Sequence, residues 1–244
     1  MPVAIAFDKK SVNHQLLLGL TFDEMTGVIT HDRAKPYHPM TLSGTPATWN
    51  SLPSGLPFLR FDGANDYLQC SAALTGDLDI TGDFTLLAWV KPNFVGMGAM
   101  VIMCRNGTDV CGWCMWLYDN PTLGPLLSLR TNQGGSHSEC WGAGFTAGEW
   151  QLVGYTRNQA NVSAICFRNG EPLITNIGAG GMLNPVACAG APAKKLLIGV
   201  QDGEGSNFFK GDIAGGECGP RAWDRELSIP EMKYVFLTEE HWFS

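Results

Sequence analysis

The sequence predicts an all-β protein: a two-sheet antiparallel β-sandwich of jelly-roll type with one short C-terminal helix. Three observations point there. Short apolar and aromatic runs recur at intervals of roughly 8–15 residues with turn residues between them. Glycine at 30 and proline at 14 suit a chain with many turns. Hydrophobic residues make up 45% against 16% charged, so the chain carries the material of a packed core.

The runs follow in order. Phe84–Val90 stops at Lys91-Pro92, and Met100–Cys104 stops at Arg105-Asn-Gly107. Trp113–Tyr118 ends at Asp119-Asn-Pro121, and Leu126–Arg130 ends in a Gly134-Gly135 turn. Trp150–Thr156 is followed by Val162–Phe167, which alternates and runs into Asn169-Gly170, a strong hairpin signal. Leu196–Val200 closes the series at Gln201-Asp-Gly203. The helix is Ser228–Phe236. Ser228 caps it with Glu231 three residues on, Pro230 sits in the first turn, and Ile229, Met232, Val235 and Phe236 share one face. Phe84, Trp89, Trp150, Leu152 and Phe167 are expected in the sandwich interior, because they lie in these apolar runs.

At 244 residues the chain is read as a single domain, 1–244, with segment 43–57 as a surface loop. Sixteen basic against 23 acidic residues leave a net charge of −7. That balance argues against nucleic acid and against an anionic membrane surface. No apolar run reaches the length of a transmembrane helix, and the N-terminal residues lack the pattern of a signal peptide. The expectation is a protein made in the cytoplasm and found in a virion or outside the cell after release. The eight cysteines are then expected as reduced thiols, several of them packed in the core.

Seven motifs in order resemble the LamG-like jelly-roll domains of the concanavalin A-like lectin/glucanase superfamily. They are Leu16–Phe22 followed by Asp23-Glu24, Phe61-Asp-Gly-Ala-Asn-Asp-Tyr67, Ile80–Pro92, Phe145–Thr156, Cys166–Glu171, Phe209–Ala214, and Asp224–Ser228 with Glu231. The resemblance implies two antiparallel sheets face to face, with opening and closing strands as neighbours. One departure stands out. Ala214 occupies the usual carboxylate position, and Gly215-Gly216 with Gly219-Pro220 makes a bulge or loop there. This variant also resembles jelly-roll proteins encoded in phage-like genomes.

Four chemistries are weighed. Glycoside hydrolysis needs two carboxylates across the scissile bond, and the superfamily's glucanases carry them in a Glu-x-Asp-x-(x)-Glu run. No such run occurs; Asp77, Asp79 and Asp83 alternate only partly. Calcium, the one possible cofactor, needs several oxygen ligands from loops. Asp62, Asn65, Asp66, Asp202 and Asp212, with Glu204, are its candidates, the alternative being that Asp62 and Asn65 close a β-turn. Cys111-Gly-Trp-Cys114 with His137 and Cys140 has a zinc-like spacing, set against a disulfide among these cysteines or free thiols. Finally, Trp113, Trp116, Tyr118, Trp141 and Trp223 exceed what a core needs and form a candidate binding surface for glycan or for a partner protein. Trp113 and Trp116 are three apart, so a regular strand sends them to opposite faces.

The leading expectation is a non-catalytic binding or structural module, a virion decoration, tail or adhesion protein with a lectin-like fold, oligomeric or particle-bound, that binds glycan. The alternative is a cellular or secreted carbohydrate-binding lectin module. A glycoside hydrolase is the minority reading.

Overall fold

The computed structural model describes residues 8–244 except 36, 46, 95–97, 108–109, 189–193 and 202–204. Its strands, in chain order, are β1 (Leu16–Gly19), β2 (Ile29–Thr30), β3 (Met40–Ser43), β4 (Thr48–Ser51), β5 (Pro57–Asp62) and β6 (Tyr67–Cys70). Then come β7 (Phe84–Pro92), β8 (Ala99–Gly107), β9 (Cys111–Asn120), β10 (Gly124–Asn132), β11 (His137–Ala143) and β12 (Gln151–Asn158). The last are β13 (Ser163–Arg168), β14 (Glu171–Pro172), β15 (Thr175–Ile177), β16 (Leu196–Ile198), β17 (Lys210–Ala214) and β18 (Arg221–Trp223). Helix α2 (Ile229–Glu239) is the expected C-terminal one, and a four-residue helix α1 (Lys9–Val12) adds to it near the N-terminus.

The strands form two antiparallel sheets. The first runs β14-β13-β12-β7-β17-β5-β4, with β18 pairing both β7 and β1. The second runs β15-β11-β10-β9-β8-β16-β6-β3-β2. The pairing of β1 with β18 makes the opening and closing strands neighbours. Asn169 and Gly170 both take positive φ, 51° and 75°, and form the two-residue turn between β13 and β14 that this dipeptide favours.

The expected core divides into two layers. Phe84, Leu86, Ala88 and Val90 face the second sheet in the main core, whereas Leu87 and Trp89 face the opposite way, into a second cluster under α2. Leu152 and Phe167 join Trp89 there, so of the five residues expected between the sheets only Phe84 is. Trp150 is half-buried at that cluster's rim, against Phe58 and Phe243. The cause is visible in Phe84–Val90, a nearly continuous apolar run. A strand covered on both faces reads this way, whereas one-sided burial reads as alternation.

Helix α2 forms where expected, with a reciprocal Ser228–Glu231 capping box and proline in its first turn. Met232 and Val235 are buried, but Ile229 is 45% exposed and leaves the expected face. The Gly215–Pro220 departure is a tight 3₁₀ turn between β17 and β18. A Cβ on Gly219 would meet the Leu20 carbonyl oxygen at 1.7 Å, which explains why the turn is built from glycine.

Cysteine chemistry differs from the all-thiol expectation at one place. Cys111 is disulfide-bonded to Cys188 across 77 residues, and the other six cysteines are free and buried. The CxxC/HxxC zinc reading fails on geometry: Cys111 is spent, Cys140 packs between the sheets, and Cys114 lies on the outer face of the second sheet. Reduction is expected to lower stability by about 2–4 kcal/mol, because the link closes a long loop in the unfolded chain. Urea melts with and without dithiothreitol check this. A Cys111→Ser/Cys188→Ser protein as stable as the oxidised one overturns it.

Candidate functional site

The outer faces of the two sheets are covered differently. Helix α2 covers much of the first. On the second, Val200, Asn207 and Phe208 lie against one half: the Val101 N–H donates to the Asn207 carbonyl (3.0 Å), and Cys104 Sγ donates to the Val200 carbonyl. There Val101, Cys104, Cys114, Leu197 and Val200 form a small buried cluster, with Tyr67, Trp116 and Phe208 packed against it.

The other half, over β9, β10, β11 and β15, carries the candidate site. Antiparallel register sets Trp116 opposite Ser128, Ser128 opposite Trp141, and Trp141 opposite Asn176, so these four form one row across the sheet. Directly opposite residues on one face sit side by side. The next row sets Cys114, Arg130 and Glu139 together, and on the other side Tyr118 lies opposite Leu126. Trp116 and Trp141 are half-buried and Tyr118 is 38% exposed. Arg130 stacks over the Trp116 ring at 4.7 Å and pairs with Glu139 at 3.8 Å. Glu139 also accepts from the Ser128 hydroxyl. Trp116 Nε1 and Arg130 Nε are buried and find no acceptor among the described residues. A buried indole N–H ordinarily has one. An apolar ring face beside donors and acceptors is what a sugar presents a match for: its C–H face to the ring, its hydroxyls to the polar groups.

Three of the five proposed aromatic positions, Trp116, Tyr118 and Trp141, are thus brought together, and two are not. Trp113 points inward and donates to the Leu78 carbonyl at 3.0 Å. Trp223 is buried under the N-terminal segment and donates to the Val12 carbonyl at 3.0 Å. Both fill space beneath connecting segments, so neither belongs to a surface.

The oxygen-rich residues line a groove of about 700 Å³ on the first sheet, where Arg60, Asp62, Asp66, Lys91, Lys210 and Asp212 meet. Their oxygens have other partners. Asp62 accepts the Ala64 N–H (2.7 Å), Asp66 accepts the Asp62 N–H (2.9 Å), and Asn65 accepts the Thr45 N–H (3.4 Å). Asp212 is clamped by Arg60 at 2.7 and 3.1 Å. Burial, reinforced by the Asp62 carboxylate, pushes Asp66 up to about 7. The β-turn alternative holds at Asp62, which accepts the N–H two residues on, whereas Asn65 bonds Thr45, twenty residues away, instead of closing the turn. Among the described residues no group of three or more His, Cys, Asp or Glu is placed to hold a metal ion. Asp202 and Glu204 lie outside the described residues.

The partly alternating aspartates are separately employed. Asp77 bonds His38 Nε2 (2.9 Å), Asp79 pairs with Arg105 (3.0 Å), and Asp83 accepts the Gln159 N–H (2.6 Å). Sequence reading missed the buried partners His38, Arg105, Arg221 and Glu239. His38 and Asp77 are 39 residues apart, and no local pattern links such pairs.

A family model described as the concanavalin A-like lectin/glucanases superfamily matches residues 62–232. The chain belongs to that superfamily. No curated protein matches it. Among solved structures, this concanavalin A-like sandwich is similar to a botulinum neurotoxin type C structure, with a TM-score of 0.64 and 12% identity over 95% of this chain and 53% of that one. That toxin enters cells dependent upon interaction with two ganglioside molecules. It is also similar to the receptor-binding domain of a C/D mosaic serotype (TM-score 0.65, 11% identity, 93% of this chain and 52% of that one). A third is the binding domain of neurotoxin DC in complex with rat synaptotagmin II (TM-score 0.63, 12% identity, 93% and 52%). The chain spans about half the length of these structures, and at such identities the likeness is one of fold.

Proposed function

We propose that the chain is a non-catalytic carbohydrate-binding module that holds glycan on the open half of its second sheet. The observation that carries this reading is the row Trp116–Ser128–Trp141–Asn176, aromatic and polar by turns, on the outer face of the second sheet. Superfamily membership supports it at the level of fold, which hosts many functions. The toxin domains, which are receptor-binding modules, lend the same kind of support.

The test is a glycan array probed with the labelled protein and with Trp141→Ala. At least one glycan class is expected to bind, and Trp141→Ala to weaken it about tenfold, the scale of one lost ring contact. An array silent for the folded protein overturns the reading. A structural role in a larger assembly, the virion-associated one included, is the second reading. It is favoured by Ile174, 90% exposed beside β15, and Leu123, 57% exposed at the β9–β10 turn. A strictly monomeric protein by sedimentation and native mass spectrometry counts against it.

A further inference from the structure

We infer that Cys140 and Cys166 form a second disulfide, joining the two sheets, when the chain folds in the presence of a small-molecule disulfide such as glutathione disulfide. The inference concerns the core and stands apart from what the outer face binds.

Proximity is the first argument. Cys140 lies on β11 in the second sheet and Cys166 on β13 in the first, and both side chains are fully buried in the core between them. Their thiols share a hydrogen bond. The residues around them explain the close approach. A Cβ on Gly142 would stand 3.0 Å from the Cys166 Cβ. Gly142 is two positions from Cys140 and so on the same face of β11, and its missing side chain is the room that admits β13. The chain also crosses between the sheets at this end. The Cys166 carbonyl accepts the Leu173 N–H (2.8 Å), the Cys166 N–H donates to Thr175 Oγ1 (2.9 Å), and Thr175 opens β15, the neighbour of β11. Two thiols already in contact need only side-chain rotation and a small approach of the strands to become bonded.

The other free cysteines offer no equal pair. Cys104 and Cys114 are directly opposite on β8 and β9. Such neighbours hold their Cβ atoms about 4.5–5.5 Å apart, at or beyond the upper end of what a disulfide spans. Cys104 Sγ donates to the Val200 carbonyl. Cys218 sits in the cluster under α2, and Cys70 lies beside Asp32 and Asp77.

Timing follows from the environment. The hydrogen bond to Cys166, with burial, holds the Cys140 thiol well above its usual range. A thiol so held yields little thiolate, and thiolate is the attacking species. The bond therefore forms during folding, while the sheets are still open, and the closed sandwich then shields it. The Cys140 thiolate attacks one sulfur of glutathione disulfide and expels a glutathione thiolate. The Cys166 thiolate displaces the second glutathione from the mixed disulfide. The two cysteine protons end on the two glutathione thiols, and the two electrons that the cysteines lose reduce the glutathione disulfide.

The experiment refolds the whole chain, fully reduced and unfolded, in a buffer of reduced and oxidised glutathione. The product is quenched in acid, unfolded, alkylated with N-ethylmaleimide and mapped by peptide mass spectrometry. Four of the eight cysteines are expected to be alkylated, with Cys111 joined to Cys188 and Cys140 joined to Cys166. Cys166→Ala is expected to contain one disulfide only. The doubly linked chain is expected to unfold at a higher urea midpoint than the chain carrying Cys111–Cys188 alone, because the added link constrains the unfolded state. Six alkylated cysteines in the refolded chain overturn the inference. So does Cys140 joined to any cysteine other than Cys166, or a second disulfide that persists in Cys166→Ala. A lower urea midpoint for the doubly linked chain shows that the bond strains the sheets, and overturns it as well. Should Cys166→Ala fail to fold, the peptide map of the unaltered chain decides.

Discussion

Glu239→Ala is expected to destabilise the protein by about 3–5 kcal/mol, the cost of leaving one member of a buried ion pair without its partner. Glu239 is the last residue of α2, and its carboxylate receives Arg221 through two bonds of 2.6 and 2.8 Å. Trp89 Nε1 donates to the same carboxylate at 2.8 Å. Both charged side chains are only 9% exposed. Glu239 holds the Arg221 guanidinium above its usual value despite the burial that opposes its charge; a guanidinium gives up its proton only far above neutral pH, so deleting the carboxylate leaves a buried, unpaired cation. The loss reaches further than one pair. Trp89 stacks on Phe236 and on Phe243, at 5.7 and 4.1 Å, and these contacts seat the C-terminal segment on the first sheet. Urea unfolding of the variant measures the effect, and a loss below about 1 kcal/mol contradicts the account. The double change Arg221→Met/Glu239→Leu removes both charges and is expected to recover most of the stability. Trp150→Ala, at the half-exposed rim of the same cluster, is expected to cost less than Trp89→Ala, which falls in the range of about 3–5 kcal/mol for a large buried aromatic.

Raising the pH from 6 to above 9 is expected to weaken the fold through His38. This imidazole is fully buried, with Nδ1 2.6 Å from Asp32 and Nε2 2.9 Å from Asp77. Asp32 in turn accepts the N–H groups of Gly19 (2.6 Å) and Ala34 (2.8 Å), tying β1 to the segment that leads into β3. Burial disfavours the charged ring, but the two carboxylates outweigh it and raise its pKa from 6.5 to about 9. A group whose native pKa is raised binds its proton more tightly in the folded state. Its contribution is complete below 6.5, declines between 6.5 and 9, and is lost above that. Thermal melts across pH 6–10 are expected to show this decline, and His38→Gln to flatten it. The same variant is expected to lose about 3–5 kcal/mol at pH 6, because the buried Asp32 side chain loses its cationic partner. A pH profile identical in the two proteins contradicts this. Asp66 acts in a lower window: its carboxyl, raised to about 7, favours the fold while protonated, and that contribution falls as the pH rises from 3.8 to 7. Asp66→Asn separates the two.

Local chemistry decided much of this protein. The Asn169-Gly170 turn needs only two adjacent residues that accept positive φ, and the Ser228–Glu231 box needs only a three-residue spacing. The superfamily motifs are likewise short local strings, and they carried the sandwich with them. Strand periodicity also sent Trp113 and Trp116 to opposite faces, as expected. Which face is covered was beyond it. Periodicity of two assigns a side but not its neighbour, and the neighbours here come from far along the chain. Helix α2 buries Trp89 and Leu152, Val12 and the N-terminal segment bury Trp223, and Val200 and Phe208 roof half of the second sheet. Cys111 found its partner 77 residues away rather than in Cys114. The candidate site has the same origin: Trp116, Ser128, Trp141 and Asn176 sit on four strands, and only the register between those strands makes them a row.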